Sequence, residues 1–231
     1  AHFFLSSDIL FEVAHCNFGL RGEESNKDEQ LVREWAEKSN IKCHVQQFDL
    51  KGSIQIAARE ARYNWFNELT EKFGFVSIAT AHHLNDSLET ALFNLIRGTG
   101  IKGISGVPSI SNKVVRPLLF AHKEQLLTYA REEGIEWRED ASNRKNDYGR
   151  NLIRNEVIPT LKKLNPSLEE TFSNTLERLQ LTNQLLIEHV SEVKNNFLNE
   201  EEGIWELDVS WVKKDTDLLV LSEVVSDFGF N

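Results

Sequence analysis

Apolar residues follow two rhythms along these 231 residues. The runs "ILFEVAHCN" (9–17), "IKCHVQQFDL" (41–50) and "FVSIATAHH" (75–83) are short and apolar and end in polar side chains, the pattern of strands buried in a parallel sheet. Between them the apolar spacing lengthens to three and four. "EESNKDEQLVREWAEKSN" sets Leu31, Val32, Trp35 and Ala36 at helical intervals behind an acidic first turn, and "SIQIAAREARYNWFNELTEKFG" opens on Ser53 and closes on Gly74. "NDSLETALFNLIRGTG" is a third helix. Such alternation predicts right-handed crossovers and a Rossmann-like α/β fold, a parallel sheet with helices on both faces. The polar ends "AHCN" and "TAHH" then fall at the carboxyl ends of neighbouring strands, where open α/β sheets bind ligands, and are expected to share one cleft.

Past residue 107 the rhythm changes. "NKVVRPLLF" reads as a short strand running into Pro117, and "HKEQLLTYAREEG" as a helix closed by Gly134. A polar, basic stretch leads into a helix that ends near Asn165 and Pro166. "SLEETFSNTLERLQLTNQLLIEHVSEVKNNFL" then keeps apolar residues three and four apart, as a long helix bracing domains would. The tail "GIWELDVSWVKKDTDLLVLSEVVSDFGFN" predicts a strand and a helix. The expected organisation is a Rossmann-like domain over 1–165, followed by a helical linker and the start of a smaller domain over 166–231.

Composition narrows the class. Apolar residues make up 40% and charged residues 27%, as in a soluble globular protein. No apolar run is long enough to cross a bilayer, and the N-terminus lacks the basic start and cleavage site of a signal peptide, so a cytoplasmic location is expected. Cys16 and Cys43 are too few for a disulfide framework and form no C-x-x-C pair, which points to buried reduced thiols. The net charge of −10 argues against an indiscriminate nucleic-acid binder. Charge is uneven, however: residues 97–163 hold 13 Lys and Arg against 8 Asp and Glu, while the remainder holds 13 against 28. A locally basic surface on an acidic protein follows. The chain has no methionine, from which we expect that residues of the encoded protein are missing from it; comparison with the gene tests this.

Several groups carry candidate chemistry. His82 and His83 end the third expected strand, and Asp86 and Glu89 lie three apart on one face of the next helix. Carboxylates there favour the helix dipole, or form an acidic pocket for an ammonium group or a hydrated magnesium ion near Asp86. A transition-metal site lacks a further histidine or cysteine nearby. Gly98 and Gly100 of "RGTG" cap the helix and permit close backbone approach beside the cation Arg97, with Thr99 between them; as a phosphate-binding turn this is a weak signal. Arg59 and Arg62 lie three apart beside Tyr63, suited to phosphate or to salt bridges with Glu60 and Glu68. Asn17, Gly19 and Arg21 occupy a loop at a strand end, where a nucleotide contact and a plain loop are equal readings. In the run 139–166, Asn143, Arg144, Lys145, Arg150, Asn151 and Arg154 interleave with Tyr148, the composition of a surface that meets RNA phosphates and an unstacked base.

In this order, "AHCNFGLRGEES", "AAREARY", "TAHHLNDSLET", "RGTGIKGISGVP", "RPLL", "EDASN" and "RNLIRNEVIPTL" resemble the tRNA(Ile)-lysidine synthetases, from about residue 9 to residue 170. The resemblance implies an adenine-nucleotide hydrolase-like fold of the pyrophosphatase-loop type. It also implies an ATP- and magnesium-dependent reaction on an isoleucine tRNA with a CAU anticodon. Carbon 2 oxygen of the wobble cytidine is adenylated, and the side-chain amine of free lysine then displaces AMP to give lysidine. By the same resemblance, Asp86 and Glu89 match the carboxylates of "HHxxDxxET" and would hold lysine or metal, as catalytic residues with His82 and Arg97. His83, Asn17, Arg21, Arg59, Gly98, Thr99 and Gly100 would contact lysine or ATP. Arg62, Asn143, Arg150, Asn151 and Arg154 would contact tRNA. A homodimer through the long helix is a further expectation.

Two departures stand out. The "SGGxDS" stretch that defines the family's ATP loop does not occur in the sequence, and Asn85 stands where many relatives carry aspartate. Two competing readings remain open: a tRNA-thiolating enzyme on the same fold, which predicts catalytic cysteines, and an inactive RNA-binding relative.

Overall fold

The first two apolar runs pair as expected. In a computed structural model of the chain, which describes residues 1–49, 54–138 and 149–230, Val13–Asn17 (β1) and Cys43–Gln47 (β2) form a parallel ladder, Val13 opposite Cys43 and Asn17 opposite Gln47. A short helix, His2–Ser6 (α1), precedes them. Between them Glu23–Lys38 (α2) starts after Gly22, whose φ of +56° suits glycine, and carries Glu23 and Glu24 in its first turn, where the dipole favours them. Ile54–Phe73 (α3) ends at Gly74, φ +71°. The expected opening of this helix at Ser53 lies outside the described residues.

The third strand is shorter than its apolar run. Only Ile78–Ala79 (β3) pairs, in parallel with Val114–Val115 (β5), and the sheet order is β3-β5-β4 with Ile110–Ser111 as β4. Thr80 still donates its N–H to the Val115 carbonyl at 3.0 Å, after which the chain turns so that His83, joined to Leu118 by an isolated bridge, caps the next helix; the histidines sit in a capping loop beyond the strand. Strands β1 to β3 and β5, helices α1 to α3 and residues 136–138 belong to one compact unit, residues 1–80, 111–115 and 136–138.

The second unit is mainly helical and covers residues 81–110, 116–135 and 149 onward; the boundary expected near residue 165 falls inside it. Its helices are Leu84–Arg97 (α4), Ile101–Ile104 (α5), Lys123–Glu132 (α6) and Gly149–Leu152 (α7). One π-helical turn, Ile153–Val157, connects α7 to Ile158–Leu164 (α8). Leu168–Phe197 (α9) is the long helix expected from its spacing. Leu88 of α4 packs against Ile153 and Ile158, with Phe93, Leu168 and Phe172 around them, so the core itself fixes the π turn against α4.

The tail corrects the expectation of one strand. Leu198–Glu201 (β6), placed by its sequence at the end of the long helix, pairs antiparallel with Ile204–Leu207 (β7). Glu202 and Gly203 both have positive φ, the two-residue turn that matches the twist of a hairpin. Asp215–Ser226 (α10) closes the chain, with Val220 and Val224 buried against Val193 of α9.

Candidate functional site

Helical geometry sets Asp86, Glu89, Thr90, Phe93 and Arg97 on one face of α4, three and four residues apart. The helix starts where it does because Asp86 closes it. Its Oδ2 accepts the backbone N–H of His83 at 2.9 Å, and its own N–H donates to the His83 carbonyl at 3.0 Å. His83 Nδ1 lies 3.4 Å from the same carboxylate, too poorly directed for a hydrogen bond. The loop is held from behind by a parallel bridge between His83 and Leu118 and by Leu84 N–H on the Ala121 carbonyl at 2.9 Å.

Against this face runs the segment 149–154, in the opposite sense. Arg154 forks onto Glu89, Nε to Oε1 at 2.6 Å and Nη2 to Oε2 at 2.7 Å, and its Nη2 lies 3.6 Å from Asp86 Oδ1. One turn earlier, Arg150 donates to Thr90 Oγ1, which in turn donates to the Asp86 carbonyl at 2.7 Å. Gly149 lies on the Phe93 ring: a Cβ there would meet Cε2 at 3.2 Å. Arg97 stands over the same ring at 5.3 Å from its centroid. The Glu89 hydrogen bonds are the main reason the Arg154 guanidinium is held more firmly protonated than usual, against the opposing effect of burial.

This arrangement changes the expected acidic pocket. Glu89 is only 2% exposed and both its oxygens are taken by Arg154. The cation that fills its side of the pocket is therefore the protein's own. Asp86 keeps a side chain 20% exposed. Arg154, expected at the RNA surface, is engaged inward. Asn85 serves packing: its Oδ1 accepts the Lys123 N–H at 2.8 Å and its Nδ2 donates to Glu169 at 3.4 Å, joining α4 to α6 and α9.

The "RGTG" turn is built for geometry. Gly98 has φ +78° and ends α4, Gly100 caps α5, and a Cβ on Gly103 would lie 1.9 Å from Thr99 Oγ1, so that glycine makes room for the threonine. Arg97, Gly98, Thr99 and Gly100 are all exposed. His82 and Asn151 are half-buried. Asn143 and Tyr148 lie outside the described residues.

The first unit gathers the others at the carboxyl ends of β1 and β2. Asn17 is 4% exposed and is a pin: Nδ2 donates to Glu29 at 2.9 Å and Asn26 at 3.1 Å, and Oδ1 accepts the Gly19 N–H at 2.9 Å. Its bond is the largest cause of the lowered Glu29 pKa. Arg21 is paired with Asp28 at 2.6 Å. Phe18, just after β1, stacks on Phe48, just after β2, at 5.1 Å, with Arg62 over Phe18 at 5.5 Å and Arg59 over Tyr63 at 5.2 Å. Neither Arg59 nor Arg62 has a carboxylate partner among the described residues, so the bridges to Glu60 and Glu68 do not form. Cys16 is half-buried, and burial pushes its thiol up to about 11 despite Arg62 beside it. Sequence reasoning assigned nothing to Thr90, Phe93 or Arg116. Thr90 closes the "ET" of "TAHHLNDSLET", and Phe93 lies one turn beyond it on the same face, which are the signals that pointed to them.

Residues 4–161 match the PP-loop domain family. The chain belongs to that family. Among similar curated proteins, the tRNA(Ile)-lysidine synthase of Bacteroides thetaiotaomicron is 40% identical over 197 residues, 82% of this chain and 46% of that protein. That of Chlorobaculum tepidum is 42% identical over 169 residues, 68% of this chain and 51% of that protein. That of Porphyromonas gingivalis W83 is 36% identical over 228 residues, 95% and 49% of the two chains. The chain thus spans about half the length of the curated relatives it matches. A solved structure, the U34-tRNA thiolase NcsA of Methanococcus maripaludis with its iron–sulfur cluster, superposes with a TM-score of 0.58 at 15% identity, covering 75% of this chain and 64% of that one. That likeness supports the PP-loop α/β fold. Among the described residues, no three His, Cys, Asp or Glu stand together as a metal site, and no helix is long and apolar enough to cross a membrane.

Proposed function

We propose that this PP-loop chain is the catalytic part of an enzyme that ligates lysine to carbon 2 of the wobble cytidine of an isoleucine tRNA with a CAU anticodon, at the expense of ATP. The observation that carries the reading is the identity of 40% to a tRNA(Ile)-lysidine synthase across 82% of the chain, with the Asp86 centre inside the matched family domain. The reaction takes place in the cytoplasm, where tRNA is modified.

The residues divide the work by their surroundings. Asp86, fixed by the His83 N–H and half-open to solvent, receives the ammonium group of lysine and orients its nitrogen toward carbon 2 of the activated base. For attack that nitrogen must lose a proton, and Asp86 is the nearest acceptor this centre offers. Glu89 acts through Arg154: it anchors the guanidinium whose Nη2 faces Asp86. Arg97 and Arg150 flank the same face, His82 and His83 precede α4 on the Asp86 side, and the exposed Gly98–Gly100 turn lies at its other end. Arg59 and Arg62, cations on aromatic rings without carboxylate partners, and the loop of Asn17 and Arg21 supply nucleotide and tRNA contacts.

ATP follows from the PP-loop family: the cytidine oxygen attacks its α-phosphorus, diphosphate leaves, and the adenylylated oxygen then departs with AMP when the lysine nitrogen attacks carbon 2. Magnesium bound with the nucleotide would neutralise charge on its phosphates, and Asp86, 20% exposed with Arg154 beside it, would be the residue of this centre placed to reach it. Sulfur transfer is disfavoured by the high pKa of Cys16, which keeps it a thiol at neutral pH. A homodimer through α9, where Leu181 and Leu185 are exposed one turn apart, belongs to the same reading and is checked by sedimentation.

Transfer of radiolabelled lysine to a transcript of that tRNA, with ATP and the full-length protein, tests the function. Incorporation abolished by Asp86→Ala is expected. Binding of the tRNA with no lysine transfer by the wild type rules the ligase out in favour of an RNA-binding relative.

A further inference from the structure

Two arginines are drawn into the second unit, and only one of them meets carboxylates. Arg154 has Glu89 and Asp86. Arg116, which opens the "RPLL" motif, is 8% exposed; its Nη1 donates to the Pro108 carbonyl at 2.7 Å, and its Nε is buried with no hydrogen-bond partner. Among the described residues no carboxylate pairs with it. A guanidinium cannot shed its proton to escape burial, and a buried cation with one neutral partner is costly to keep. Packing alone would be served as well by an apolar side chain of similar volume.

The position of Arg116 is tightly fixed. Its backbone N–H donates to the Ser109 carbonyl at 2.9 Å while its side chain holds Pro108. Val107, next in that loop, donates its N–H to Ser87 Oγ at 3.3 Å, and Ser87 is wholly buried in the first turn of α4. Two residues after Arg116, Leu118 forms the parallel bridge to His83, the residue whose N–H holds Asp86. A cation with no carboxylate partner among the described residues is therefore anchored within about two extended residues, roughly 7 Å, of the His83–Leu118 bridge that carries the capping loop. The carboxyl ends of strands in open α/β sheets are where such folds take up ligands.

We propose that Arg116 is an oxyanion-binding residue whose unpartnered N–H groups receive either a phosphate of the nucleotide or the carboxylate of the amino-acid substrate. The lysine-ligase reading supplies these two candidate sources; the vacancy in the charge balance of Arg116 does not depend on it. The bound oxyanion gives the guanidinium the anionic partner that the described residues do not supply.

Calorimetric titration of the full-length protein with inorganic diphosphate, with L-lysine and with L-lysine methyl ester tests this in the wild type, Arg116→Gln and Arg116→Met. Glutamine keeps a donor for the Pro108 carbonyl and removes the charge; methionine removes both. The wild type is expected to bind diphosphate, or lysine in preference to its methyl ester, and Arg116→Gln to bind that anion at least tenfold more weakly. Loss for diphosphate identifies the phosphate as the source, and loss for lysine but not for its ester identifies the carboxylate. Without ligand, Arg116→Met is expected to melt no lower than the wild type. Failure of the wild type to bind either anion, or a loss smaller than tenfold in the glutamine variant, overturns the proposal; if that variant does not fold, the methionine variant is judged by the same limit. Lysine transfer by the wild type with unchanged anion affinity in the variants removes this proposal and leaves the ligase standing, whereas anion binding through Arg116 without lysine transfer does the reverse.

Discussion

Each unit contains an arginine set between two carboxylates of one helix face, and the settings differ. In the first unit Arg138 bonds Asp28 at 2.6 Å and also Glu24, which is half-exposed. In the second, Arg154 forks onto Glu89, which is 2% exposed, and reaches toward Asp86. The donor chemistry is the same. Water competes freely for the first pair and hardly at all for Glu89, so the first is a surface clamp of small worth and the second a fixed part of the core. Ion pairing alone therefore says little about a functional centre; what marks it is a buried carboxylate whose cation comes from another segment.

The comparison is broken most severely at Glu89. Glu89→Ala leaves Arg154 without its fork and should cost about 3–5 kcal/mol in urea unfolding, while the Glu89→Ala/Arg154→Ala double variant should lose much less than the sum of the single changes. Next comes Asn17→Ala, which removes a buried amide with three hydrogen-bond partners and should cost about 2 kcal/mol. It also sharpens a pH effect. The Asn17 bond is the main cause of the Glu29 pKa lying below its ordinary 4.5, so Glu29 stabilises the fold above about that pH and loses this contribution as pH falls through the lowered value. Acid unfolding of Asn17→Ala should therefore show a smaller drop in stability below pH 4.5 than the wild type. Gly149→Ala should cost about 1 kcal/mol by pushing its chain off the Phe93 ring, with a matching loss in tRNA affinity as Arg150 shifts from Thr90. Arg138→Ala should leave the melting temperature unchanged within measurement.

Much of the fold is legible in the sequence because its signals are local. The period of two or three to four residues places β1, α2, β2, α4 and α9, and the i, i+3 spacing alone puts Asp86 and Glu89 on one face. Their difference in role is not legible, since it depends on Arg154, 65 residues away in sequence from Glu89. The same holds for Arg116, whose isolation is a property of what surrounds it. The third strand is shorter than its pattern suggests because beyond Thr80 the backbone turns to cap α4 at His83. In the tail, the helical spacing runs to Leu198, and pairing across Glu202–Gly203 makes 198–201 a strand.

The central claim is that Asp86 meets the substrate while Glu89 holds Arg154. Steady-state lysine transfer to the CAU-anticodon tRNA, measured for Asp86→Asn and Glu89→Gln beside their melting temperatures, tests it most directly. The account predicts that Asp86→Asn raises KM for lysine or lowers kcat at least tenfold with melting nearly unchanged, whereas Glu89→Gln lowers the melting temperature and weakens activity through it. Glu89→Gln with wild-type melting and a raised KM for lysine, beside a fully active Asp86→Asn, would contradict it.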